Sequence, residues 1–152
     1  MQLKIGTLED YPKVITMAYS FLKESPYKEY PIDTHKIESL VVGFLTPNNE
    51  RICFLATKEN EPIGMIAGGV TEALFSHQKV ASEVVWWIHP DHRGRGRAAI
   101  ELLGAFQDWG RRVGADYVQM VSLPSLGDSR ANAIYSRLGY TLKEMSFVKE
   151  LN

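Results

Sequence analysis

Cysteine occurs once in the 152 residues, as Cys53, which excludes an intramolecular disulfide framework and a zinc site built on several thiolates. A lone thiol fits a reducing compartment, so a cytoplasmic location is expected. Long apolar runs are also missing. Nowhere do about 18 apolar residues follow one another, and the opening MQLKIGTLED mixes charges with apolar residues, so neither a membrane span nor a signal peptide is expected. Charge of one sign is scarce too: 17 Lys and Arg against 18 Asp and Glu leave a formal charge of -1, and no overall field draws the chain to nucleic acid or anionic lipid. No repeat, low-complexity tract or long linker divides it. One domain over residues 1–152 is expected, because 45% hydrophobic and 23% charged residues suit a chain that buries a single core.

What is present is an alternation of strand-type and helix-type patterns. Residues 3–6 read as a short strand, and Thr7 with Asp10 supplies helix-start chemistry ahead of Val14, Ala18, Phe21 and Leu22, until Ser25-Pro26 stops the helix. A second helix over residues 34–44 carries Ile37, Leu40, Val41 and Phe44 on one face. Residues 52–57 and 63–70 read as a hairpin, and 81–88, with Val84, Val85, Trp86 and Trp87, as the strongest strand. A long helix follows over 96–113, closed by Gly114. Residues 117–123 read as a strand, 129–138 as a helix closed by Gly139, and 141–151 as final strand material.

The segment Arg93-Gly94-Arg95-Gly96-Arg97-Ala98 lies between the strongest strand and the longest helix. Glycines there let backbone N–H groups converge, and the helix N-terminus adds positive potential, so the combination suits an anion such as phosphate. A dinucleotide fingerprint fits poorly, since His89-Pro90-Asp91-His92 separates the strand from the first glycine and Asp116 precedes the next strand. A Walker motif is absent, and an arginine-glycine tract that binds nucleic acid is usually longer. The competing reading is a plain turn with solvated arginines.

Arg93-x-x-Gly96-x-Ala98, after a strand ending Ile88-His89-Pro90 and before an amphipathic helix, resembles the acetyl-CoA signature of the GCN5-related N-acetyltransferases (GNAT family). Asp128, Ala131, Tyr135 and Gly139-Tyr140 resemble the second motif of that family, with Asp128 where an asparagine is frequent and Asn132 one turn further on. The resemblance implies an α/β (α+β) fold: a mixed, mostly antiparallel central sheet flanked by helices and splayed between its fourth and fifth strands. It implies acetyl-CoA as cosubstrate, with backbone N–H groups of Arg93, Gly94, Arg95, Gly96, Arg97, Ala98 and Ala99 on the pyrophosphate. The backbone around Trp87 and Ile88 would pair with the pantetheine like an added strand. Either Asp128 or Asn132 approaches the cofactor. At least one of Trp86 and Trp87 is expected to be ordinary core.

The activity so implied is N-acetyl transfer to a primary amine, small molecule or protein, by direct attack in a ternary complex. The alternative is a non-catalytic acyl-CoA-binding regulatory module on the same fold. A primary amine has a pKa near ~10.4, so a carboxylate that removes its proton aids attack. Glu83 is the candidate base, against the alternative of a solvent-facing carboxylate whose side is set by a bulge, with Glu72 in reserve. Tyr135 is expected to hydrogen-bond the departing sulfur, against the alternative of core packing. Tyr27, Tyr30, Phe75 and His77 border the acceptor cleft by resemblance, or pack locally. His89 and His92 read as a surface turn, no metal is expected, and Cys53 reads as buried and inert. The expected partners are the amine substrate and, as a candidate, a second copy in a homodimer, with neither nucleic acid nor membrane.

Overall fold

The computed structural model describes residues 1–94, 97–123 and 128–151, the side chains of Asp128 and Ser129 excepted. They form two compact units, Met1–Val121 and Ser122–Asn152. The first holds β1 (Gln2–Ile5), α1 (Tyr11–Glu24), α2 (Thr34–Phe44), β2 (Arg51–Lys58), β3 (Glu61–Glu72), β4 (Lys79–Ile88), α3 (Ala98–Arg112) and β5 (Tyr117–Gln119). Its strands make a five-stranded sheet in the order β1-β2-β3-β4-β5, antiparallel except for the parallel β4-β5 pair. No helix among the described residues is long and apolar enough to cross a membrane.

The core forms where helices cover this sheet. α3 packs on β2, β3 and β4 with Leu102, Leu103 and Phe106 fully buried, and α1 brings Val14, Met17, Ala18 and Phe21 to the interior. Gly68 on β3 allows the closest approach of α3: a Cβ there would lie 2.6 Å from Phe106 Cζ and still closer to the Ser82 carbonyl oxygen. Gly68→Ala is therefore expected to cost about 2 kcal/mol through overpacking, read as a lower urea midpoint at constant m-value. An unchanged midpoint would contradict this packing.

Two irregularities shape the sheet near its centre. Gly68 faces Glu83 while Ala67 faces Val85, so Val84 is an extra residue on β4, a β-bulge that resets which side each neighbour takes. Beyond it the sheet opens. β5 pairs only with Val80–Ser82, and β4 continues to Ile88 with no strand on that side among the described residues, which is the expected splay.

Several boundaries differ from the sequence reading. The strand expected over 117–123 ends at Gln119, because β4 diverges from it after Ser82. The long helix begins at Ala98 and ends in a glycine turn: Gly114 has φ +84°, and Ala115 N–H donates to Gly110 O at 2.9 Å.

The second unit contains α4 (Asp128–Arg137), after which Gly139 at φ +81° reverses the chain. Residues 141–151, expected as strand, are not in one. Thr141, Phe147 and Val148 favour strands, but Leu142, Met145, Val148 and Leu151 recur every third residue with charged pairs between some of them. No single sheet face collects them.

Candidate active site

The bulge fixes the setting of Glu83. It faces Gly68 across the ladder, so the position directly opposite carries no side chain, and Val121 N–H donates to its Oε2 at 3.1 Å. The residue is half-buried on β4. Burial pushes the carboxyl up to about 7, against the opposing pull of the Val121 N–H. A carboxylate that exchanges its proton near neutrality yet remains reachable has the properties of a general base. Glu72, the reserve, sits at the far end of β3 beside exposed His77, whose Nδ1 is 3.2 Å from Glu72 Oε1.

The residues after β4 build a compact turn. His89 N–H donates to Ile63 O at 2.8 Å, so by strand alternation Trp87 directs its peptide groups to β3, whereas Trp86 and Ile88 direct theirs to the open side. The side chain of Trp87 is buried as core, 4% exposed. Pro90–His92 form one turn of 3-10 helix, closed by Arg93 N–H on Pro90 O at 3.2 Å. Arg93 thereby spends its backbone donor on the turn, and its guanidinium binds Ile88 O and Glu24. Gly94 has φ +74°, a conformation that a side chain would strain. Arg95 and Gly96 lie outside the described residues. Arg97 stands exposed before α3 without a side-chain cap, and the first helical bond is Glu101 N–H on Arg97 O at 2.8 Å. The helix therefore supplies no partner to the N–H groups of Ala98, Ala99 and Ile100, which form an anion-favouring end. Ala98 is buried and Ala99 half-buried.

In the second unit, Tyr135 is half-buried and Asn132 exposed, both on α4, while the side chain of Asp128 lies outside the described residues. Tyr140 N–H donates to Tyr135 O at 2.9 Å and Gly139 N–H to Ser136 O at 3.3 Å, the paired bonds of a Schellman cap. The rings of Tyr135 and Tyr140 sit 5.4 Å apart. Glycine is thus required for its positive φ, and the aromatic after it packs on Tyr135 and limits its ring.

The remaining candidates read plainly. Tyr27, Tyr30, Phe75 and His77 are exposed. His89 Nδ1 accepts from Asp91 N–H at 3.3 Å within the surface turn. Cys53 is fully buried, and burial pushes its thiol up to about 12, so it is inert as a nucleophile at neutral pH. The sequence reading missed two participants, the Val121 N–H and Glu24, for neither carries a signal in the chain itself.

A family model described as "Acetyltransferase (GNAT) family" matches residues 15–140. Among solved structures, the aminoglycoside N-acetyltransferase AAC(6')-Iy in complex with a CoA bisubstrate analog is 14% identical with a TM-score of 0.78, over 99% of this chain and 97% of that one. A ribosomal-protein-alanine N-acetyltransferase from Brucella melitensis biovar Abortus 2308 is 13% identical with a TM-score of 0.71, over 99% and 100% of the two chains. An aminoglycoside acetyltransferase from an uncultured soil metagenomic sample is 17% identical with a TM-score of 0.72, over the full length of both. These likenesses establish the fold. No curated protein matches the sequence.

Proposed function

The chain belongs to the GNAT acetyltransferase family, and from that membership we propose that it transfers an acetyl group from acetyl-CoA to a primary amine by direct attack in a ternary complex. The observation that carries this reading is the N-terminus of α3, where Arg97 makes no side-chain cap, together with the open side of β4 among the described residues. The N–H groups of Ala98, Ala99 and Ile100 receive the pyrophosphate, joined by Arg95, Gly96 and the charge of Arg97. Along the open side of β4, the peptide groups of Trp86 and the N–H of Ile88 are the ones aimed at an added strand, the Ile88 carbonyl already accepting from Arg93 Nε, and they are assigned to the pantetheine amides.

Glu83 takes the proton from the attacking amine, and Tyr135, by the family resemblance, donates to the sulfur as it leaves. Both units belong to one acetyltransferase domain in this reading, because the family match crosses their boundary at Val121. A primary amine as acceptor is supported by the neighbours, which include aminoglycoside and ribosomal-protein-alanine acetyltransferases.

Ala99→Asp tests the cofactor site with opposite signs. A carboxylate in the first turn favours the helix dipole, so the free protein should keep its stability within about 0.5 kcal/mol, while repulsion of the pyrophosphate should raise the Kd for CoA roughly fivefold. Calorimetric titration with CoA alongside thermal melting checks both. Unchanged CoA affinity would remove α3 from the site.

A further inference from the structure

The turn after β4 is held by a side chain from a distant helix. Glu24 is the last residue of α1, and its two oxygens take two different donors: Oε2 accepts from Arg93 Nη2 at 2.6 Å and Oε1 from Trp87 Nε1 at 3.4 Å. Arg93 also donates Nε to Ile88 O at 2.7 Å, with its guanidinium 5.8 Å from the centre of the Trp87 ring. Glu24 is itself kept in place by its neighbour. Ser25 is fully buried, its Oγ donating to Leu22 O at 2.9 Å and accepting from Tyr27 N–H at 3.2 Å. The Glu24 and Arg93 side chains are only 28% and 31% exposed, so water competes weakly for the pair.

We propose that Glu24 is a positioning residue for cofactor binding, clamping Arg93 to the end of β4 and so setting the path of the chain from Ile88 through Gly94 toward α3. The inference rests on the acetyltransferase reading above. The clamp occupies Nε and Nη2 of Arg93 on Ile88 and Glu24, and the turn takes its backbone N–H on Pro90, so these groups hold the chain in place. The chemistry also demands a carboxylate. Glutamine has the same shape but one acceptor oxygen, and its NH2 would face either the indole N–H or the guanidinium.

Glu24→Gln therefore separates a clamp from simple packing, since a packing role tolerates the isostere. Two readouts are measured on the full chain. Calorimetry with CoA should show Kd raised about tenfold, with KM for acetyl-CoA following it and kcat at saturation changed less than twofold. Amide exchange in the ligand-free protein should be about tenfold faster at His92 and Arg93, whose N–H groups close the turn. In a double-mutant cycle, Glu24→Gln should add nothing to Arg93→Ala. If the wild type fails to bind CoA, the acetyltransferase reading falls, while the exchange rates still report on the clamp. If the wild type binds and Glu24→Gln binds equally well, the positioning role is overturned whatever the exchange shows.

Discussion

Glu83→Gln is expected to lower kcat/KM by about a hundredfold above neutral pH, the lower end of what a positioned base contributes. In the wild type, kcat/KM should climb with pH and level off near 7, where the buried carboxyl ionises. The variant should lose that inflection and keep its affinity for CoA. Stability must move in the opposite sense. The folded-state pKa of about 7 lies above the ordinary 4.5, so the folded protein holds the proton more tightly than the unfolded chain. Its contribution is complete below about 4.5 and is lost as pH rises through about 7. Ionised Glu83 thus costs stability at pH 8, at most about 3 kcal/mol and less for its partial exposure. Glu83→Gln should gain melting temperature relative to the wild type between pH 5 and pH 8 while losing activity. A variant that retains the wild-type pH inflection would move the base elsewhere.

Tyr135→Phe is expected to lower turnover at least tenfold with CoA affinity and stability nearly unchanged. The substitution keeps the ring that packs on Tyr140 and removes only the hydroxyl. An ordinary phenol near ~10 facing a thiol near ~8.5 makes full proton transfer uphill by roughly 2 kcal/mol, so a hydrogen bond to the developing thiolate suffices for the role. The measurement is steady-state kinetics at saturating acetyl-CoA. Wild-type turnover in this variant would leave Tyr135 as the packing partner that its Schellman cap already makes it.

Local grammar made most of the fold legible before any coordinates. Ser25-Pro26 ended α1, Gly114 and Gly139 ended α3 and α4, and β-branched and aromatic residues marked β4. These signals act within a few residues, so the sequence displays them directly. Residues 141–151 misled because strand-favouring residue types stood in for the missing two-residue period. The length of β5 was hidden for another reason: it depends on where β4 turns away, and that follows from the Val84 bulge and the sheet's splay. At the candidate site, the glycine-arginine segment before α3 and the acidic residue on β4 could be named as candidates from the sequence. Glu24 could not. A glutamate in a last helical turn is commonplace, and its meaning comes from Trp87 and Arg93, the latter 69 residues away.

The central claim is amine acetylation, and the most direct measurement is amine-dependent release of free thiol from acetyl-CoA, run against a panel of small amines, amine-bearing peptides and cell extract. Mass spectrometry of the products accompanies it. The account predicts thiol release that requires the amine and matches, mole for mole, an acceptor heavier by one acetyl group. CoA binding without release for any amine would contradict it and leave an acyl-CoA-binding regulatory module in its place.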